Sequence, residues 1–210
     1  MSAARLFLIG AWVWACLAGP GQAGEFVLVE NGSTPAPVVV FKNAPPRTRA
    51  AAQELCDYVE KISGARPELI EGEPKPIPSR AIWVGVQPAV RKLLPKLDLA
   101  FQHPEEILLA CDGRHLVIAG RDRWDPQHMD VQVPDGIVKG KQQEYGTVNA
   151  VYTFLQDKLE VRWLWPGELG EDVPKRPTIR LAPFEYRYHP QIRSRGGLLN
   201  FSSLGNKGYG

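Results

Sequence analysis

Gln143-Glu144-Tyr145-Gly146-Thr147-Val148-Asn149-Ala150-Val151-Tyr152-Thr153-Phe154-Leu155, followed by Val161-Arg162-Trp163-Leu164-Trp165-Pro166-Gly167-Glu168, is the stretch whose reading decides the fold. Val148, Val151, Tyr152, Leu155 and Leu159 recur at three- and four-residue intervals, the stripe of an amphipathic helix. The helix is expected over about Tyr145–Leu159. Val161, Trp163 and Trp165 then alternate, the period of a strand with one face on a core. A helix feeding directly into a strand means helices packed on a sheet. Upstream, Ala51, Leu55, Tyr58/Val59 and Ile62 draw a second helical stripe, with Arg49, Gln53, Glu54, Asp57 and Lys61 on the solvated side. Ser63-Gly64 stops that helix.

Strand signals fill the rest. Glu25–Glu30, Pro37–Phe41 with its β-branched Val38-Val39-Val40, Pro67–Glu71, Arg80–Gly85 and Thr178–Leu181 are short extended runs. Glu105–Cys111 and His115–Ala119 flank Asp112-Gly113, a hairpin signal. Pro88–Leu94 fits a short helix that Pro95 ends. Asp122–Glu144 is polar and aperiodic and reads as a long loop. The sum is an α+β fold: one mixed sheet of about five to seven strands, with two amphipathic helices on one face.

The 210 residues allow one domain or one domain plus a fragment. Lys and Arg number 25 against 23 Asp and Glu, a net charge of +2, which excludes a strongly basic nucleic-acid binder and an acidic-tail protein. Residues 1–23 read as a secretory signal. Arg5 supplies the positive start, Leu6–Ala18 the apolar run, and Gly21-Gln22-Ala23 the small residues at the cleavage site. The run falls short of the roughly 20 residues a membrane span needs. Trp14 spoils a lipid attachment site at Cys16, so no stable membrane anchor is expected. The expected location is periplasmic or extracellular. Export permits a Cys56–Cys111 disulfide. Each cysteine lies in an apolar periodic segment, however, and is expected as a small buried hydrophobe.

Chemistry is sparse. GxSxG, HExxH, a P-loop and a strand-borne GxGxxG are all missing. The four histidines, His103, His115, His128 and His189, are scattered. Asp122, Asp125, His128 and Asp130 form an oxygen-rich run, but the ordered ligands of a calcium loop are lacking, so no metal is expected. Glu168, Glu171 and Asp172 crowd one Gly-rich turn and read as surface acids rather than a glycosidase pair. No cofactor is expected. Trp124, beside Asp125 in the polar stretch, is the tryptophan whose context suggests an exposed ring that could stack on a sugar.

The opening stretch, together with Ala51–Ala65 (Ala-Ala-Gln-Glu-Leu-Cys-Asp-Tyr-Val-Glu-Lys-Ile-Ser-Gly-Ala) and Leu116-Val117-Ile118-Ala119-Gly120, resembles the non-catalytic N-terminal domain of α-glucuronidases. That domain is similar to the sheet-and-two-helix domain preceding the barrel of β-N-acetylhexosaminidases, and it also occurs in exported bacterial proteins of unassigned function. The resemblance covers roughly residues 26–188. It implies an accessory domain at 24–188, no catalytic residue within it, and a following (β/α)8 barrel begun by 189–210 that carries the chemistry on carbohydrate. The 22 residues after Tyr188 are far fewer than the about 250 of a complete barrel. The chain alone is expected to be inactive. Gln191-Ile192-Arg193-Ser194-Arg195-Gly196-Gly197 resembles the first barrel strand of hexosaminidase-like families. There, an Arg before a Gly hydrogen-bonds sugar hydroxyls, which implies Arg195 as a substrate contact, with Arg193 competing for the role. Residues 122–144 are an insertion relative to that family. A free-standing carbohydrate-binding module, with Trp124 as its contact, is the alternative.

Overall fold

A computed structural model gives the fold; it describes residues 24–125, 131–133, 136–138 and 141–191, and for 124–143 the backbone pairing alone. In chain order the elements are β1 (Phe26–Val29), β2 (Val38–Val40), α1 (Pro46–Ser63), β3 (Leu69–Glu71), β4 (Ala81–Val84), α2 (Pro88–Leu93), β5 (Ile107–Cys111) and β6 (His115–Gly120). There follow β7 (Asp122–Asp125), β8 (Val131–Val133), β9 (Gly136–Val138), β10 (Lys141–Tyr145), α3 (Gly146–Asp157), β11 (Arg162–Trp163), β12 (Glu171–Asp172), β13 (Ile179–Leu181) and β14 (Phe184–Tyr188). The expected signal segment, residues 1–23, lies outside the described residues.

The main sheet has six strands in the order β14-β5-β6-β4-β2-β3. β6, β4, β2 and β3 run parallel, and β5 and β14 add an antiparallel flank. The fold is α+β with a mixed sheet, as the periodicities predict. Each central strand is buried on both faces. Val38, Val40, Ile82, Val84, Leu109, Leu116 and Ile118 face α1 and α3. Val39, Ala81, Trp83, Leu108, Val117 and Ala119 face the other way, onto the short α2 and Leu99. Period-two alternation therefore separates two apolar sets rather than an apolar and a polar one. The sheet has a second cover, α2, besides the two long helices.

α1 starts with Pro46 in its first turn, where a missing N–H costs nothing. It ends at Gly64, whose φ of 83° is the left-handed cap that lets its N–H reach the Glu60 carbonyl. Cys56 on α1 and Cys111 on β5 are free and buried in the helix-side core. Burial pushes the Cys56 thiol up to about 11 and raises that of Cys111 as well, so both stay protonated, inert hydrophobes.

Three expectations change. Residues 122–144 contain strands: β7 pairs with β10, and β8 with β9, both antiparallel. Such ribbons satisfy their backbone by pairing alone, so they need no apolar period for a sequence reading to detect. β1 stays out of the main sheet and pairs with β13 in a separate ribbon that closes the helix-side core. The strand expected at Val161–Trp165 shrinks to Arg162–Trp163, and Trp165 turns outward, 75% exposed. The chain leaves the core directly after Trp163 because Pro166-Gly167 reverses it into a 3₁₀ turn at Glu168–Gly170.

Trp83, fully buried, donates its Nε1 hydrogen to Nδ1 of His115 at 3.2 Å. Accepting that bond requires an unprotonated Nδ1. Burial holds the His115 imidazole below its ordinary 6.5, with Asp112 opposing and Arg114 reinforcing the shift. As pH falls through 6.5 the unfolded chain takes up this proton first, so stability declines on acidification until the folded imidazole also titrates. Urea unfolding at pH 7.5 and 5.5 should show a larger loss for the natural chain than for His115→Gln, which cannot titrate. Equal losses would remove His115 from the account. Glu106 acts at lower pH, because its folded carboxyl lies below the ordinary 4.5.

Candidate functional site

An aromatic cluster joins the two long helices to β11. Tyr58 of α1 and Tyr152 of α3 both meet Trp163 edge-on, with ring centroids 5.4 and 5.8 Å away. The Trp163 indole donates to the Tyr58 hydroxyl at 2.6 Å, and that hydroxyl donates to Oε1 of Glu171 at 2.8 Å. Lys61 Nζ reaches Oε2 of the same carboxylate at 2.6 Å. The Lys61 and Tyr58 hydrogen bonds hold Glu171 below the usual carboxylate range, so it stays ionised. Glu171 thus ties α1 to β12. Asp172 lies on the same strand, its backbone paired with Arg162.

Beyond Trp163 the chain swings out, and Leu164, Trp165 and Leu169 are 76%, 75% and 104% exposed. One exposed leucine needs no explanation, but three large apolar side chains exposed within six residues of one loop exceed the usual scatter. On the other flank of Tyr152 lies a groove of about 520 Å³, lined by Arg47, Tyr145, Asn149, Tyr152, Tyr188 and Pro190 among others. The Arg47 guanidinium sits over the Tyr145 ring, 5.1 Å from its centroid. The Tyr152 hydroxyl donates to Glu54 at 2.8 Å. Tyr152 is shared by the aromatic cluster and the groove, whose lining also includes Tyr188 and Pro190.

The strand end that carries α3 explains why two separated motifs occur together. Gly120 closes β6 and Gly146 opens α3, and they lie back to back: a Cβ on Gly120 would come within 2.2 Å of the Gly146 carbonyl carbon. Thr147 Oγ1 takes the Gly120 N–H at 3.2 Å, and Asp122 Oδ1 takes the Thr147 N–H at 2.9 Å. Asp122, one of the acids of the oxygen-rich run, satisfies the first turn of α3 from 25 residues away. Its burial raises its pKa against the Thr147 bonds that lower it.

Of the residues singled out in the sequence, Trp124 lies on β7 with its backbone opposite Gln142. Arg193 and Arg195 lie outside the described residues, as do His128 and Asp130. The sequence places Tyr152 on the packed stripe of its helix and gives no groove role to Tyr145 or Tyr188. Tyr145 and Tyr152 stand seven residues apart, two helical turns, and that spacing was the available signal. Among the described residues no helix is long and apolar enough to cross a membrane.

No protein-family model matches the sequence, and no curated protein matches it. A solved structure does: a family GH115 4-O-methyl-α-glucuronidase, BtGH115A, with specificity for decorated arabinogalactans. The fold is one found within a glycoside hydrolase. The two superpose with a TM-score of 0.52 at 17% identity, over 80% of this chain and 19% of that one. This chain thus matches about one-fifth of the enzyme's length, and at that identity the likeness is one of fold.

Proposed function

We propose that residues 24–188 are a non-catalytic accessory domain of an exported glycoside hydrolase, preceded by a signal at 1–23 and followed by a (β/α)8 barrel that begins within 189–210. The observation that carries this reading is the exposed apolar loop after Trp163. Leu164, Trp165 and Leu169 stand in solvent there, an apolar surface that a following domain would cover. The fold likeness to one-fifth of a carbohydrate-cleaving enzyme supports the same division of labour. Catalysis then belongs to the barrel. Arg195, or Arg193 beside it, would present guanidinium donors to sugar hydroxyls at the end of the first barrel strand.

The test has three parts. The 210-residue chain should hydrolyse no aryl glycoside; activity abolished by Glu168→Gln or Glu171→Gln would end the reading. The gene beyond codon 210 should continue into a barrel, and the longer product should be active. In the 210-residue chain the double variant Trp165→Ser/Leu169→Ser should change stability by no more than about 0.5 kcal/mol, since both side chains are in water. In the longer product it should loosen the domain contact and raise susceptibility to proteolysis near residue 190. Saturable binding of the short chain to xylan or chitin in affinity electrophoresis, lost in Trp124→Ala, would instead favour a free-standing binding module.

A further inference from the structure

A second cleft, of about 410 Å³, lies at the edge of the sheet and is lined by Gln102, His103, Arg121, Arg123, Glu144 and His189 among others. Its walls come from four parts of the chain: the turn before β5, the start of β7, the end of β10 and the residues after β14. That turn is built rather than loose. Glu106, with only 4% of its side chain exposed, accepts the backbone N–H groups of Gln102 and His103 on Oε2, at 2.7 and 2.9 Å. Its Oε1 takes Arg187 Nη1 at 2.6 Å. Burial raises the Glu106 carboxyl, but these donors outweigh it and keep it ionised. Arg121 is fixed as well, by Nη1 on the Gln102 carbonyl at 3.1 Å and Nε against Glu144 at 3.0 Å. His103 and His189 stack face to face, ring centroids 3.8 Å apart and planes 17° from parallel.

We propose that this cleft binds an oxyanion carried by a small organic ligand. Two guanidiniums and two imidazoles converge on it, while Glu144 is the acid among its described lining residues and already faces Arg121. Guanidinium forks suit carboxylate and other oxyanion geometry. The volume falls within the range of small-molecule clefts, about 300–1,000 Å³, so there is room for more than the anionic group. Arg123, exposed at the rim, is the residue assigned to meet the anion, with the stacked histidines as one wall. The site does not depend on the accessory-domain reading.

The experiment is a titration of the full 210-residue chain, following the histidine ring C–H signals by NMR. His103→Gln and His189→Gln assign two of the four signals. Probes are sodium acetate, sodium sulfate, sodium glucuronate and neutral methyl glucoside, at constant ionic strength. The expected result is saturable movement of the His103 and His189 signals with glucuronate, weaker movement with acetate, and none with methyl glucoside. Saturation by sulfate alone would show a simple inorganic-anion site and overturn the organic ligand. Arg123→Gln should weaken binding at least tenfold. Arg180→Gln, which removes an arginine paired with Glu30 on the β1–β13 ribbon, should leave it unchanged. No saturable movement with any anion, or equal weakening in both variants, would overturn the site. Amide spectra confirm the fold of each variant. If Arg123→Gln does not fold, Arg123→Lys takes its place, with weakening of at least threefold expected and unchanged affinity counting against the site.

Discussion

Trp83→Ala should destabilise the domain by about 3–5 kcal/mol, the range for removing a buried tryptophan. The indole is fully buried on the sheet face away from the long helices, among Val39, Ala89, Val90, Leu108 and Val117. Its loss leaves a cavity between sheet and α2, and it strands Nδ1 of His115 without its donor. Urea unfolding should show the midpoint falling with little change in slope. Trp83→Phe separates the two contributions. It keeps most of the volume and loses the hydrogen bond, so about 1–2 kcal/mol is expected, partly from the unsatisfied imidazole. A loss below about 1 kcal/mol for the alanine variant would contradict close packing on this face.

Gly120→Ala should cost about 3 kcal/mol, the upper end of overpacking, and lower Tm by roughly 6–12 °C in a domain of this size. The new methyl would meet the Gly146 carbonyl carbon at 2.2 Å, its oxygen at 2.5 Å and the Glu106 carbonyl oxygen at 2.7 Å. All three are backbone atoms, so no side chain can swing away. β6 and α3 must separate, straining the Thr147 bonds to Gly120 and the Asp122 cap. Gly146→Ala should behave alike, since its methyl would lie 2.4 Å from the Arg121 nitrogen. The double variant should cost less than the sum, because the first methyl already opens the gap. Thermal unfolding of the four proteins decides it, and an unshifted Tm in Gly120→Ala would refute this contact.

These two sites show how unevenly the sequence speaks. The Ile118-Ala119-Gly120 and Tyr145-Gly146-Thr147 motifs are both visible in one dimension, and their separation along the chain gives no sign of contact. That they touch, and that Asp122 caps the helix between them, appears only once β6 and α3 are packed. Glu171 is similar: in the chain it is one of three acids in a turn, and in the fold it is the anchor for Tyr58 and Lys61.

The sequence by itself determined the two long helices, the short strands, the Asp112-Gly113 hairpin and the burial of both cysteines. Those features follow from local periodicity and turn chemistry, which operate over a few residues. Only the tertiary structure decided the strand order, the exile of β1 to a ribbon with β13, the pairing within residues 122–144, and the outward turn of Trp165. Each depends on which distant backbone satisfies a given hydrogen bond, or on where the core runs out of room, and neither is recorded in the spacing of apolar residues. The tyrosine-lined groove and the histidine-lined cleft belong to the same class. Their residues come from segments up to about 140 positions apart, brought together by the sheet order alone.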